Sequence, residues 1–382
     1  MRSAHFYFLW MAILLIAGCK STGKQVNTVS ADGQFVVIGY VPGFRGEIDE
    51  TTIDANKLTH INYAFVNVKD SMAWLENIGA DTINFQRLNK LKKVNPSLKI
   101  LFSVGGWSWS ENFSDAVLTE NSRRKFARTN VDIVEKYDLD GVDIDWEYPG
   151  MKGQDNVFRP EDKENFTLMF KVLREELDAL GDRTGKSYQL TTAIPCFTRF
   201  IEITEMAKAQ EYLDYINLMA YDFYVAGNTA GHHSNLFPSE NYEKEQSGHR
   251  AYQEYTKAGV PAHKLVLGIP FYGRSWYMKT ADNLGINRPV DSLARAGGYT
   301  FVKDSIATRP GFVRHWDMKA KAPFLFNAKT NQLVSYDDEE SVKLKCAYVR
   351  GHGMAGVMFW QYASDPKGYL LSAIDEARKL NP

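Results

Sequence analysis

The chain has 382 residues, room for one large domain or two smaller ones. Its 45 Lys+Arg stand against 46 Asp+Glu, which excludes the one-sided basic field of a nucleic-acid binder. Aromatic residues make up 13%, enough for a large core; a surplus would also suit stacking on sugar rings, which composition alone does not show.

Arg2 and His5 precede an apolar run from Phe6 to Ala17. Those twelve residues are too few to span a bilayer and suit the core of a signal peptide. The run ends Ile16-Ala17-Gly18-Cys19, similar to a bacterial lipobox, whose cysteine is acylated after cleavage. A plain signal peptide cut near Gly18 is the alternative. Lys20, rather than Asp, follows the cysteine, which resembles sorting to the outer membrane. The expectation is an exported protein held by a lipid on Cys19, on the periplasmic or the surface face. Residues 1–18 would be the signal and 19–34 a polar, flexible tether. Besides Cys19 only Cys196 and Cys346 occur, so both are expected as buried free thiols.

Eight short apolar or β-branched runs come next in the chain, at Phe35–Tyr40, Leu58–Phe65, Leu98–Val104, Leu139–Asp145, Tyr188–Ile194, Tyr215–Met219, Leu265–Ile269 and Met354–Trp360. Amphipathic segments such as Ser122–Tyr137, Lys163–Leu180 and Glu340–Arg350 lie between them. Strand alternating with helix predicts a parallel sheet, and eight such units predict a closed (β/α)8 barrel. The gap before the last strand is too long for one helix and two loops. It holds β-like pieces at Gly298–Lys303 and Gln332–Tyr336. The expected division is a barrel over 35–275 and 337–382, with a small α+β insertion over 276–336 between strands seven and eight.

The fourth run carries the chemistry. Asp140-Gly141-Val142-Asp143-Ile144-Asp145-Trp146-Glu147-Tyr148-Pro149 alternates carboxylates with apolar residues. On an extended strand Asp143, Asp145 and Glu147 share one face, about 6.5–7 Å apart at Cα per step. Carboxylates stacked this closely cannot all ionise at ordinary pKa values. A calcium loop would want Glu at the twelfth position from Asp143, where Gln154 stands, and Pro149 interrupts it. Asp140 differs in parity and should face away as a structural residue. In a barrel the strand tips form the active rim. That rim would also collect Ser103-Val104-Gly105-Gly106-Trp107, Met219-Ala220-Tyr221-Asp222, Phe271-Tyr272-Gly273-Arg274 and Trp360. Glu147, at the tip, is the natural proton donor of the row, and Asp145 beside it would raise its pKa.

The run from Asp140 to Pro149 resembles the signature of glycoside hydrolase family 18, the chitinases, with every fixed position present. Ile61–Phe65, Ser103–Gly106, Met219–Asp222 and Gly268–Arg274 resemble the family's motifs on strands two, three, six and seven, in the family's order. The resemblance spans roughly residues 36–375, and Val334–Val349 with the long gap resembles the bacterial subfamily carrying an α+β insertion. It implies hydrolysis of β-1,4 bonds between N-acetylglucosamine units, in which the substrate's acetamide oxygen attacks the anomeric carbon with net retention. Glu147 would be acid and later base. Asp145 would orient the acetamide N–H and share a proton with Asp143, and Tyr221 would donate to the acetamide carbonyl. Tyr40 and Ser103 would hold Asp143, and the two aspartates would titrate as a pair. Trp360 would floor the cleaved sugar, Trp107 would stack on the next, and Asp222 and Arg274 would bond sugar hydroxyls. Phe65, Gly106, Tyr148 and Met219 would line the pocket.

The resemblance calls for no cofactor, no metal and no nucleic acid, only chitin or N-acetylglucosamine oligosaccharides as partner to a monomer. One departure stands out. Family members often carry a Trp after the strand-six Asp, whereas Phe223-Tyr224-Val225-Ala226-Gly227-Asn228 has none. The stacking wall near the cleaved bond would then be weaker, or supplied by Phe223 or Tyr224. His232-His233 falls at a Gly-His-Asn-like turn and reads as a loop. The rival readings are a silent chitin-oligosaccharide-binding lectin of the same fold, and an endo-acting enzyme on other N-acetylglucosamine glycans.

Overall fold

The computed structural model describes Met1 and residues 35–225, 227–240 and 245–380. The chain divides into two units, Met1–Gly33 and Gln34–Pro382, and the barrel belongs to the second. The signal segment, Cys19 and the tether lie outside the described residues.

Eight parallel strands form the centre. They run Val36–Pro42, His60–Lys69, Lys99–Gly105, Gly141–Asp145, Gln189–Pro195, Tyr215–Met219, Leu265–Pro270 and Gly356–Trp360. Each pairs with the next, and the first pairs with both the second and the eighth, which closes the barrel. The strands are buried on both faces, so they read as apolar runs rather than strict alternation. Strand two runs past its expected end to Lys69 and folds back on Met72–Trp74. Asp70 and Ser71 make that turn at positive φ, the geometry of a tight two-residue hairpin.

Helices wrap the outside. Glu120–Lys136 starts from a capping box of Thr119 and Ser122. Phe126, Val131, Ile133 and Val134 form its buried stripe. Asp162–Thr184 ends at Gly185, whose φ of 70° suits a residue without Cβ. Asp338 caps Glu339–Gly351, and Asp337 just before it binds the buried Lys345 ammonium at 2.6 Å. One large apolar cluster lies between strands and helices. A smaller one, including Ile38, Tyr40, Ala64, Tyr215 and Met358, fills the barrel bore with Phe65, Met219, Tyr221 and Trp360 packed on it.

Between strand seven and the last large helix lies an antiparallel sheet of Tyr272–Met278, Arg288–Gly298, Phe312–Asp317, Ala322–Asn327 and Gln332–Ser335. Thr229–Ala230, from the loop after barrel strand six, adds a short sixth strand beside Arg288–Pro289. The expected piece at Gln332–Tyr336 is a strand here. The piece at Gly298–Lys303 is not, because the chain turns helical from Tyr299. Tyr299, Val302 and Ile306 are the buried residues there, a helical spacing that the β-branched content concealed. Cys196 and Cys346 are free and buried, as expected.

Candidate active site

Strand four places Val142 and Ile144 against the helical layer and Asp143 and Asp145 in the bore. Trp146 faces outward with the apolar set and stacks on Phe113 at 5.2 Å. The alternation therefore produces the acidic row, and neighbouring strands supply its partners. Ser103 is in register with Asp143, and Asp143 with Thr191.

Asp143 is fully buried and accepts from four donors. Tyr40 Oη lies 2.8 Å and Ser103 Oγ 2.7 Å from Oδ2. Thr191 Oγ1 lies 2.5 Å and Asn217 Nδ2 3.3 Å from Oδ1. Burial lifts the Asp143 carboxyl above the usual range, and these donors oppose the lift. Asp145 differs: its buried Oδ1 has no protein hydrogen-bond partner. Burial, then the Glu147 and Asp143 charges, push its carboxyl well up. Glu147 is raised to about 7, first by burial and further by the Asp222 charge, against a Tyr148 hydrogen bond. The buried row thus holds protons where free carboxylates would have lost them.

The strand-three turn clamps the backbone at Asp145 and Glu147. Gly106 N donates to Asp145 O at 2.7 Å. Glu147 N donates to Ser110 Oγ at 2.9 Å, and Ser110 Oγ donates to Gly106 O at 2.8 Å. Gly106 has φ of 75°, and a Cβ there would sit 2.6 Å from the Phe65 ring. That ring stacks on Trp360 at 5.3 Å, and Tyr40 meets Trp360 edge-on at 5.8 Å. Phe44 adds a third nearly parallel ring, 6.5 Å from both Phe65 and Trp360 and 51% exposed. Trp107 stands half-exposed at the rim, edge-on to Tyr148 at 6.3 Å. Tyr221 packs on the bore cluster and lies edge-on to Tyr272 at 6.2 Å.

Asp222 and Arg274 grip each other. Arg274 Nε donates to Asp222 Oδ1 at 2.8 Å and Nη2 to Oδ2 at 2.6 Å. Burial pushes the Asp222 carboxyl up, but hydrogen bonds from His233 and Arg274 outweigh it and hold it well below the usual range. Their polar atoms therefore face one another before they face any sugar. Asp140 lies apart, as its parity predicts: it accepts from Ile100 N at 2.8 Å and pairs with Lys92 at 2.7 Å.

His232 and His233 stand in a loop, as expected, and both are fully buried. His233 Nδ1 meets Asp222 Oδ1 at 3.4 Å and His232 Nε2 meets Asp317 Oδ2 at 3.1 Å. Phe223 and Tyr224 are both half-buried. Phe223 packs against the main core, while the Tyr224 ring joins the apolar core of the antiparallel sheet and bonds Asn287 at 2.6 Å. No cluster of metal-ligating side chains occurs among the described residues.

The sequence pattern of the family described as Glycosyl hydrolases family 18 matches residues 36–365. The chain belongs to glycosyl hydrolase family 18. Chitinase A1 of Niallia circulans is 34% identical, with 94% of this chain and 60% of that protein aligned. Chitotriosidase-1 of Mus musculus is 34% identical over 81% of this chain and 67% of its own length. This chain thus spans less than two thirds of the first relative. Among solved structures, a family 18 N-acetylglucosaminidase from Paenibacillus barengoltzii superposes with a TM-score of 0.84 at 39% identity. It covers 90% of this chain and 100% of its own.

Within that family frame, reading the sequence missed four site residues. Thr191 and Asn217 share the inward parity of strands five and six, a signal visible once Asp143 fixes the level. Ser110 and Phe44 sit on loops and carry no such signal.

Proposed function

We propose that this chain is a chitinase that hydrolyses β-1,4 bonds between N-acetylglucosamine units with retention, using the substrate's own acetamide as nucleophile. One observation carries the reading: Glu147 is held protonated to about pH 7 beside Asp145, whose buried Oδ1 lacks a partner. The first group can protonate a leaving sugar. The second offers the acceptor that an acetamide N–H requires. Tyr221 is the donor for the acetamide oxygen. Trp360 with Phe65 and Phe44 forms the sugar platform, and Trp107 takes the sugar beyond the cut. Glu147 then draws a proton from the water that opens the cyclic intermediate. The antiparallel sheet is read as the wall that deepens the cleft.

Hydrolysis of N-acetylglucosamine oligomers with analysis of the fresh anomer tests this. Retained configuration supports it, and inverted product or equal cleavage of an oligomer lacking acetamide sinks it. Glu147→Gln should abolish turnover and keep binding, which separates the enzyme from a silent lectin. An N-glycoprotein substrate tests the other glycan reading.

We further propose export with a lipid on Cys19 holding a monomer at the outer membrane, a reading supported by the sequence alone. Cys19→Ala should release the protein from membrane fractions.

A further inference from the structure

Glu147 sits beyond the end of its strand. Strand four keeps register with strand three as far as Asp145, opposite Gly105, and with strand five as far as Ile144, opposite Thr192. Glu147 N therefore has no ladder partner, and a buried N–H left unpaired is costly. Ser110, itself wholly buried, supplies the acceptor at 2.9 Å. Its own hydrogen goes to Gly106 O at 2.8 Å, with Asp145 O at 3.2 Å as a second acceptor. Gly106 O also accepts from Trp109 N at 3.3 Å, which folds the turn back on itself. Gly106 packs closely on the Phe65 ring, and Phe65 stacks on Trp360. One hydroxyl thus ties the Glu147 backbone to the turn that abuts the ring platform. Trp146, just before, is anchored on Phe113, and Tyr148 O, just after, accepts from Asn156 Nδ2 at 3.2 Å. Ser110 holds the peptide between those anchors.

We propose that Ser110 is a positioning residue for Glu147: its hydroxyl stands in for the missing strand partner and fixes Glu147 relative to the Phe65–Trp360 rings. The inference rests on the chitinase reading for its consequence in turnover, and on backbone geometry for the rest. The turn from Gly105 to Ser110 carries no titratable side chain, so removing the hydroxyl changes no charge. The titratable groups that face Glu147 come from elsewhere. They are Asp145 on its own strand, Tyr148 next to it and Asp222 after strand six, the last partnered by Arg274. All of them stay in a Ser110 variant. Burial is the largest cause of the raised Glu147 pKa. A peptide freed at Glu147 N lets the carboxyl move toward water and toward ordinary acidity.

Ser110→Ala removes the hydroxyl without adding bulk. Turnover of an N-acetylglucosamine oligomer should fall about ten- to a hundred-fold in kcat, with KM within about three-fold of wild type. The alkaline limb of kcat/KM should move to lower pH by about one unit. A second readout needs no turnover: a titration of 13C-carboxyl glutamate in which the Glu147 signal is the one lost in Glu147→Gln. That signal should titrate at about 7 in the wild type and about one unit lower in Ser110→Ala. Ser110→Cys, a weaker donor and acceptor of nearly the same size, should fall between the two, and it carries the comparison if Ala fails to fold. A merely structural serine would lower the melting temperature and leave the pH limb and the Glu147 titration where they are, and that result overturns the proposal. A shifted Glu147 signal in a protein that cleaves no N-acetylglucosamine oligomer would keep this assignment and sink the chitinase reading instead.

Discussion

Asp222→Asn separates two causes of the raised Glu147 pKa. Burial is the larger and the Asp222 charge the next. In the native site that charge is partnered by the Arg274 guanidinium through two short hydrogen bonds. The amide keeps the shape, removes the negative charge and leaves Arg274 positive, so both changes favour ionised Glu147. In the proposed role Glu147 must be protonated to work, and the alkaline limb of kcat/KM reports its pKa in the free enzyme. With a wild-type value of about 7, roughly half the enzyme holds the proton at pH 7. A fall of about one unit leaves about a tenth. The expected loss is then about five-fold at pH 7 and little at pH 5, beyond any uniform loss from sugar contacts. The assay is chromatographic product formation from an N-acetylglucosamine oligomer between pH 4 and 10. An alkaline limb that stays put, or moves upward, refutes the assignment of Asp222 as an electrostatic support of the acid.

Glu147→Gln should abolish turnover yet stabilise the fold at alkaline pH. A carboxyl raised to about 7 when folded loses native stability as pH climbs from its ordinary 4.5, by about 3.4 kcal/mol at most. Thermal melts at pH 4 and 8 check the sign, and a variant less stable at pH 8 would contradict it. Tyr221→Phe should slow turnover about ten- to a hundred-fold with an unchanged melting temperature, and an unchanged rate counts against an acetamide role. Gly106→Ala should displace the Phe65 ring from Trp360, raise KM and cost about 1–3 kcal/mol, read by denaturant unfolding and oligomer kinetics. Lys345→Met strands the buried Asp337 charge and should cost about 3–5 kcal/mol without moving the pH profile.

The barrel was legible because its grammar is local. Eight buried runs punctuated by amphipathic helices leave few other architectures, and period-two alternation in strand four sorted Asp143 and Asp145 from Asp140 correctly. The first half of the Asp143 donor set, Tyr40 and Ser103, came from resemblance, and its second half was missed. Thr191 looks like any β-branched strand residue, and Asn217 like any polar interruption, until strand register sets them level with Asp143. The helical turn after Gly298 was misread because Thr300, Phe301 and Val302 favour strands, while the contacts that fold it lie far off in sequence at Phe271 and Asp365. His232 and His233 lie in a loop as read, but their burial was not legible, because exposure cannot be judged from a Gly-His-His step. Only the carboxylates opposite them, Asp317 and Asp222, explain their burial.

The seam joining the strand-six loop to the antiparallel sheet has an engineering consequence. Thr229–Ala230 lies beside Arg288–Pro289, Val290 N bonds Asn228 O at 2.9 Å, and His233 N bonds Ser335 Oγ at 2.8 Å. Tyr221 and Asp222 sit at one end of that stitched loop. Transplanting the sheet from a relative to alter chain-length preference would therefore disturb the reaction centre as well, unless residues 221–236 travel with it as one cassette.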